Sequence, residues 1–250
     1  MKKIWVLMVV VAALLIISVL VQASKMDDRI ESSARQSYVF KTYLQADDIK
    51  IQSRDGDVIL TGTVSEESHK SLAKDTVAGL PGVNSVDNKL EVKGETPAEN
   101  SDAWIMMKVK ATLLFHRSVS GFKTEVTVKD GIVSLQGEAT SVAQKDLVTE
   151  YARDVDGVKD VKNEMAVTKT SKKMSETVGE KIDDASITAQ VNMMHLYHRS
   201  TSALKTSVTT KDGVVTLGGK AKNANERDLA TKFTKDINGV KIVMNVMTIE

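Results

Sequence analysis

The chain has 250 residues, a formal net charge of +1 at pH 7 and no cysteine. The absence of cysteine excludes disulfides and thiolate zinc sites. The balanced charge argues against a nucleic-acid-binding protein, because such proteins concentrate basic residues against phosphates. The length permits one large domain or several small ones, so internal repetition decides the domain count.

The N-terminal segment is typical of an exported protein. Lys2 and Lys3 precede an apolar run at residues 4–21 that contains no charged residue and one polar residue, Ser18, and an acceptable small-residue cleavage site ends at Ala23. The run could also cross most of a hydrocarbon core of about 30 Å. Residues 1–23 are therefore predicted to be a cleaved signal peptide or a retained signal anchor. Both alternatives place the rest of the chain in the periplasm, either soluble after cleavage near Ala23 or tethered to the inner membrane.

A pattern of the form Asp-Gly-x-Val-x-Leu-x-Gly occurs three times in the remaining sequence. A Gly-Val pair and an asparagine follow each copy at constant distances. The sequence aligns with itself without a gap over roughly 65 to 70 residues, which predicts tandem domains. The signature residues are Gly56, Gly62, Gly82, Asn88, Gly131, Gly137, Gly157, Asn163, Gly213, Gly219, Gly239 and Asn245.

Three domains, here called units 1, 2 and 3, follow from this repeat. They are predicted at residues 26–93, 102–168 and 181–250, with polar linkers at 94–101 and 169–180. Units of this size bury a small core, so each gains stability by packing on its neighbours.

Each unit is predicted to fold as α-β-β-α-β. The first helix is expected to continue to an aromatic residue, which is Phe40, Phe115 or Tyr197. An aspartate near its start is expected to cap the helix or complement its dipole. These aspartates are Asp27, Asp102 and Asp184. The Asp-Gly pair favours a two-residue hairpin turn with both φ angles positive. The fold class is α+β, with a three-stranded mixed sheet packed by two helices in each unit, behind the N-terminal apolar helix.

The combined pattern resembles the BON domain, a small module of bacterial envelope proteins. The resemblance rests on the aspartate and isoleucine of the first helix, the D-G-x-V-x-L-x-G hairpin and the closing G-V-x-x-V-x-N. The tandem arrangement behind an export signal is similar to osmotically inducible periplasmic proteins of that family. The resemblance implies a non-enzymatic module that interacts with phospholipid surfaces. It implies no catalytic motif and no cofactor.

The first helix of unit 2 carries more apolar residues than its packing requires. One apolar stripe is enough to cover a sheet, so the remaining apolar residues and the lysines beside them would suit a membrane interface with anionic lipid. Packing against a neighbouring unit is the alternative. The predicted lipid-binding residues are Trp104, Met106, Met107, Lys108 and Lys110.

Other polar candidates have a structural interpretation. His116 and His198 occupy matching positions and are predicted to be helix C-terminal histidines favoured by the dipole. The alternative is a metal site formed by His195, His198 and Asp184; no metal site is predicted. The signature asparagines lie on the same face of the last strand as its buried apolar residues, so their amides are expected to bond to loop backbone.

These observations predict a non-enzymatic envelope protein whose units bind anionic phospholipid or a membrane surface. The resemblance alone implies that it would support envelope integrity under osmotic or related stress. The sequence has no glycine-rich phosphate loop, nucleophile elbow or thiol to suggest an enzyme. The alternative is a periplasmic chaperone or adaptor that binds envelope proteins through apolar surface and sheet edges.

Overall fold

The computed structural model describes residues 25–94, 97–119, 124–168, 181–201 and 205–250. The predicted signal segment at 1–23 and the predicted linker at 169–180 lie outside the described residues. No helix within the described ranges is both long enough and apolar enough to cross a membrane.

The three units have the same order of elements. Unit 1 contains α1 (25–36), α2 (Tyr38–Thr42), β1 (Asp48–Arg54), β2 (Asp57–Val64), α3 (Glu67–Ala78) and β3 (Ser85–Val92). Unit 2 contains α4 (Asp102–Phe115), β4 (Thr124–Lys129), β5 (Ile132–Ala139), α5 (Val142–Arg153), β6 (Asp160–Asn163) and β7 (Ala166–Val167). Unit 3 contains α6 (Asp184–Tyr197), β8 (Lys205–Lys211), β9 (Val214–Ala221), α7 (Ala224–Lys235), β10 (Ile242–Asn245) and β11 (Thr248–Ile249).

The second strand of the hairpin lies at the centre of each sheet. β2 pairs antiparallel with β1 and parallel with β3. β5 and β9 are flanked in the same way. The predicted mixed sheet and α+β class are therefore confirmed. In units 2 and 3 the last strand is interrupted, so that two short strands occupy the place of β3.

The Asp-Gly pairs form the predicted turns. Asp130 has φ 54° and Gly131 has φ 80°, and the other two turns have nearly the same angles. The carboxylate of Asp102 accepts hydrogen bonds from the N–H groups of both turn residues, at 2.8 Å each. Asp27 and Asp184 hold the turns of their own units in the same way.

The residues that cap the N-termini of α4 and α6 differ from the predicted ones. Ser101 caps α4 and Asp183 caps α6, each by accepting a hydrogen bond from a backbone N–H of the first turn. Capping by Asp102 and Asp184 was therefore wrong, because their carboxylates face the hairpin turn. Both remain in the first turn, where a negative charge complements the helix dipole.

The predicted first helix of unit 1 is broken at Ser37, whereas α4 and α6 are continuous. The break leaves the N–H groups of Tyr38 and Val39 without helical acceptors. They donate to Asp183 Oδ2 at 2.8 Å and to Ser186 Oγ at 3.1 Å, both in unit 3. The single-helix prediction was wrong here, because another unit supplies the acceptors that let the helix restart.

α6 is the helix that all three units share. It packs against α3 of unit 1, α4 of unit 2 and α7 of its own unit. Its buried residues therefore extend well beyond one stripe and include the polar Gln190, which accepts a hydrogen bond from the Tyr43 hydroxyl at 3.3 Å. The three small cores join into one buried cluster.

Candidate functional site

The predicted lipid-binding residues lie on α4 but do not form one exposed surface. Lys108 is 6% exposed, and its ammonium lies 3.7 Å from the ring centroid of Trp104 and 5.6 Å from that of Tyr197 in unit 3. Asp156 approaches the same ammonium at 3.6 Å. Burial lowers the pKa of Lys108, and Asp156 opposes that effect. Lys108 therefore joins units 2 and 3 and has little surface to offer a lipid headgroup.

The other predicted residues of α4 are more accessible. Met106 and Met107 are half-buried and Lys110 is exposed. Lys110 lines a cleft of about 280 Å³ between units 1 and 2, whose apolar walls include Leu72 and Phe115. The lipid-binding role of these residues stays a prediction.

Units 2 and 3 meet at two fully buried histidines, His116 and His198, here called the histidine pair. Their Nε2 atoms are 2.8 Å apart. His198 Nδ1 lies 3.0 Å from Asp154 Oδ2 with hydrogen-bond geometry. His116 Nδ1 lies 3.3 Å from Asp236 Oδ2, but the geometry is not that of a hydrogen bond, so this contact is an ion-pair contact.

The interface has approximate twofold symmetry. The N–H of Arg117 donates to the Asp236 carbonyl at 2.7 Å, and the N–H of Arg199 donates to the Asp154 carbonyl at 2.6 Å. Each unit thus uses the loop after its first helix to bind the C-terminal end of the second helix in the other unit.

Aromatic rings enclose the histidine pair. Tyr151 stacks on His116 with centroids 3.8 Å apart, and Phe233 stacks on His198 at 4.2 Å. The Tyr151 hydroxyl donates to Asp236 at 2.7 Å. Burial lowers the pKa of His116. Burial would raise the pKa of Asp236, but the nearby His116 and the hydrogen bonds from Ser118 and Tyr151 hold that pKa below its ordinary value.

The contact between the two histidines restricts the positions of their protons. At 2.8 Å, one Nε2 donates a hydrogen bond and the other accepts it, so only one of the two Nε2 atoms carries a proton. Because both rings are fully buried, this arrangement fastens two units together and offers no surface to a substrate.

The predicted roles of the histidines need correction. His116 and His198 do lie at helix C-caps, but they pair with each other and with aspartates, which the dipole interpretation missed. The alternative metal arrangement is not formed, because His195 Nε2 lies 3.1 Å from Thr234 Oγ1 and Asp184 binds turn amides. Among the described residues, no group of three or more His, Asp or Glu side chains could hold a metal ion.

A sequence signal for this interface was present. Units 2 and 3 both contain His-Arg-Ser followed, 38 residues after the histidine, by an aspartate and a branched aliphatic residue. Unit 1 has Lys41 and Gly79 at the corresponding positions and takes no part in the histidine pair. Residues that two repeats share and the third lacks therefore marked the contact between those two.

The signature asparagines fasten the last strand to the second helix. The amide of Asn163 donates to the Lys145 carbonyl of α5 at 2.9 Å, and its Oδ1 accepts from the N–H of Met165 at 3.0 Å. Asn88 and Asn245 make the same pair of contacts. The expected backbone partner is present, but it belongs to a helix instead of a loop.

Three copies of one α-β-β-α-β module, locked together through α6 and the histidine pair, define a tandem-repeat α+β protein. Comparison of the sequence with protein families identifies the module. The BON domain matches residues 26–94, 101–169 and 183–250, so the chain belongs to the BON domain family.

Individual relatives include an osmotically inducible protein and an outer membrane lipoprotein. The chain is 31% identical to osmotically-inducible protein Y of Escherichia coli (strain K12) over 143 residues, which are 56% of this chain and 71% of that protein. It is 30% identical to outer membrane lipoprotein DolP of Haemophilus influenzae over 111 residues, 44% of this chain and 57% of that protein. Among solved structures it is similar to CdsD, a structural protein of the type III secretion system of Chlamydia trachomatis, with 17% identity over 90% of this chain and 92% of that one. The TM-score of 0.24 is too low for that similarity to support any conclusion.

Proposed function

We propose that this protein is a non-enzymatic component of the cell envelope whose BON units bind phospholipid surfaces. It would support envelope integrity under osmotic or related stress. Membership of the BON family supports the envelope assignment, as do relatives named as an osmotically inducible protein and an outer membrane lipoprotein.

The observation that carries lipid binding is the cleft between units 1 and 2. Leu72, Leu113 and Phe115 form an apolar part of its wall, and the exposed Lys110 lies on its lining together with Glu66. A phospholipid needs an apolar surface beside a cation. The volume of about 280 Å³ is at the lower limit of sites that enclose a small molecule, roughly 300 Å³. It suits part of an acyl chain better than a whole lipid.

Lipid binding is tested by flotation of the full chain with neutral phosphatidylcholine vesicles and with vesicles that also contain phosphatidylglycerol. Lys110→Glu should weaken binding to anionic vesicles by about tenfold or more, because each lysine near such a surface contributes about 1 kcal/mol and the glutamate adds a repulsion of similar size. Lys129→Glu is the matched control, since Lys129 is an exposed lysine of unit 2 that does not line the cleft.

The readout is the ratio of affinities for anionic and neutral vesicles, because every variant contains the apolar segment at 4–21. A wild-type ratio near one would refute anionic lipid binding. Equal loss in both variants would assign the effect to net charge alone. Trp104→Ala is a poorer test, because the Trp104 ring contacts the buried Lys108 ammonium, and its loss would disturb packing between units.

The proposed location is the periplasm, with the chain either free after cleavage or tethered by residues 4–21. N-terminal sequencing of protein isolated from cells separates these outcomes. Ser24 as the first residue means cleavage after Ala23, and Met1 means a retained anchor.

A second function, a chaperone or adaptor for envelope proteins, is favoured by the open sheet edges. Each sheet leaves its first and last strands as edges, and within the described residues no further strand pairs with β1 or β8. Such edges accept an added strand. Crosslinking in periplasmic extract that captures protein clients, together with absence of vesicle flotation, would favour this function.

A further inference from the structure

The outward face of the third sheet carries an exposed apolar stripe. Ile242 and Met244 of β10 and Val246 directly after it are 57%, 52% and 60% exposed. Alternate residues of a strand lie on the same face, and the intervening Val243 and Asn245 are less exposed. The three side chains, here called the β10 stripe, therefore form a column on the solvent side of the sheet.

The other two units show that the fold does not require apolar residues there. A shift of 82 residues relates unit 3 to unit 2, and it places Asp160, Lys162 and Glu164 at the positions of the β10 stripe. Unit 1 has Ser85, Asp87 and Lys89 at the same register against its central strand. Large apolar side chains grouped on a surface where the repeats have charges mark a contact with something outside the chain.

The charge of the same face indicates the chemistry of the partner. Lys205, Lys211 and Lys220 lie at outward positions of β8 and β9. The outward positions of the strands of the third sheet contain no acidic residue, and one exposed carboxylate residue, Glu250, follows β11 directly. No described residue forms a salt bridge with any of these three lysines. The sheets of units 1 and 2 each carry four carboxylates at outward positions. These are Asp48, Asp57, Asp87 and Glu91, and Glu125, Glu138, Asp160 and Glu164.

We infer that the outward face of the third sheet is a docking surface for an anionic phospholipid bilayer, an inference that rests on the proposed lipid-binding function. The β10 stripe would enter the headgroup region, and the long lysine side chains of β8 and β9 would reach phosphates beside it. Hydroxyl residues such as Thr209 and Thr216 lie at outward positions of β8 and β9, between the lysines and the β10 stripe. A second copy of the chain fits this face less well, because two such faces would bring like charges together.

The arrangement of the face is consistent with close approach of a flat surface. Gly218 lies between the β10 stripe and β8, and an added Cβ there would come within 2.7 Å of Ser207 Oγ and 4.0 Å of Val246 Cγ2. Because Gly218 has no side chain, the centre of the face does not protrude. The lysines and the stripe are therefore its most protruding groups.

The test transplants the surface of unit 2 onto unit 3 in the full chain. The variant Ile242→Asp, Met244→Lys, Val246→Glu should lose at least about tenfold in affinity for phosphatidylcholine vesicles containing phosphatidylglycerol. Lys211→Gln should lose about fivefold. Lys129→Gln, at the matching position of unit 2, is its control and should lose little. High salt should weaken wild-type binding, because it screens exposed charges.

The outcomes separate this inference from the proposed function. If the wild type binds anionic vesicles and the transplant binds equally well, the docking surface is refuted while lipid binding stands. If the wild type does not bind them, both fail. If ultracentrifugation shows a wild-type dimer that the transplant cannot form, and vesicle binding is unchanged, the face joins two copies and the lipid assignment is overturned. Unchanged thermal unfolding of the transplant shows that its loss of binding is not a loss of fold.

Discussion

Replacement of His195 by leucine should remove part of the acid sensitivity of this protein. His195 is 6% exposed, and burial, reinforced by the nearby His198, lowers its pKa to about 4. The matching position of unit 2 is Leu113, also 6% exposed. The repeat itself therefore shows that leucine fits this site. The cost of the change is the contact between His195 Nε2 and Thr234 Oγ1 at 3.1 Å.

The sign of the effect follows from proton linkage. An unfolded chain has a histidine pKa near 6.5, so between that value and about 4 the unfolded state binds more protons than the folded state. Acidification through this range therefore favours unfolding. With these two pKa values, His195 reduces the free energy of unfolding by about 2 kcal/mol between pH 7 and pH 5.

Urea unfolding of the full chain, followed by far-ultraviolet circular dichroism at pH 7 and pH 5, measures this loss. The wild type should lose about 2 kcal/mol more than His195→Leu over that interval. Met194→Leu is the packing control, because Met194 is the adjacent buried residue of α6 and does not titrate. An equal pH dependence in wild type and His195→Leu would refute the reasoning.

Two further predictions concern the joint between units and the hairpin. Asp236→Asn should reduce the free energy of unfolding by about 2 kcal/mol or more, because it removes the carboxylate that accepts hydrogen bonds from the Ser118 and Tyr151 hydroxyls. Chemical denaturation should show a change within about 0.5 kcal/mol for Asp228→Asn on the exposed side of α7. Gly219→Ala should be at least about 2 kcal/mol more destabilising than Gly94→Ala, since an added Cβ at Gly219 would lie 1.9 Å from a backbone oxygen whereas none lies within 4 Å at Gly94. Equal melting temperatures for the two glycine variants would contradict the second prediction.

The elements of each unit were predictable from the sequence because their signals are local. An Asp-Gly pair between alternating apolar residues specifies the hairpin within a few residues, and it occurs as predicted at Asp130 and Gly131. The contacts between units were not predictable in the same way. Lys108 has the charge of a surface residue, yet the rings of Trp104 and Tyr197 cover it, and the second ring comes from another unit. Nonlocal packing of this kind leaves no periodicity in the sequence.

The candidate sites also differ in whether a local sequence signal or a nonlocal contact determines them. The surplus apolar residues of α4 were recognised, but whether a neighbour or a membrane covers them depends on the position of α6. Met106 is half-buried and Lys110 is exposed, so the same helix has side chains in the interior and side chains in contact with solvent. The β10 stripe escaped the sequence analysis because Ile242 and Met244 alternate as the residues of an ordinary strand do. Only the burial of the intervening residues shows which face is outward.

Differences among the three repeats indicate how the units attach to one another, which their common fold does not indicate. Lys41 and Gly79 prevent unit 1 from forming the contacts that His116 and Asp154 make in unit 2, so unit 1 must attach by another route. It does so through the helix break at Ser37, whose free N–H groups bind the start of α6. Two unlike joints therefore meet on one helix, and the symmetric joint between units 2 and 3 does not require unit 1. Loss of unit 1 contacts should leave that joint intact, whereas damage to α6 should release both neighbours at once.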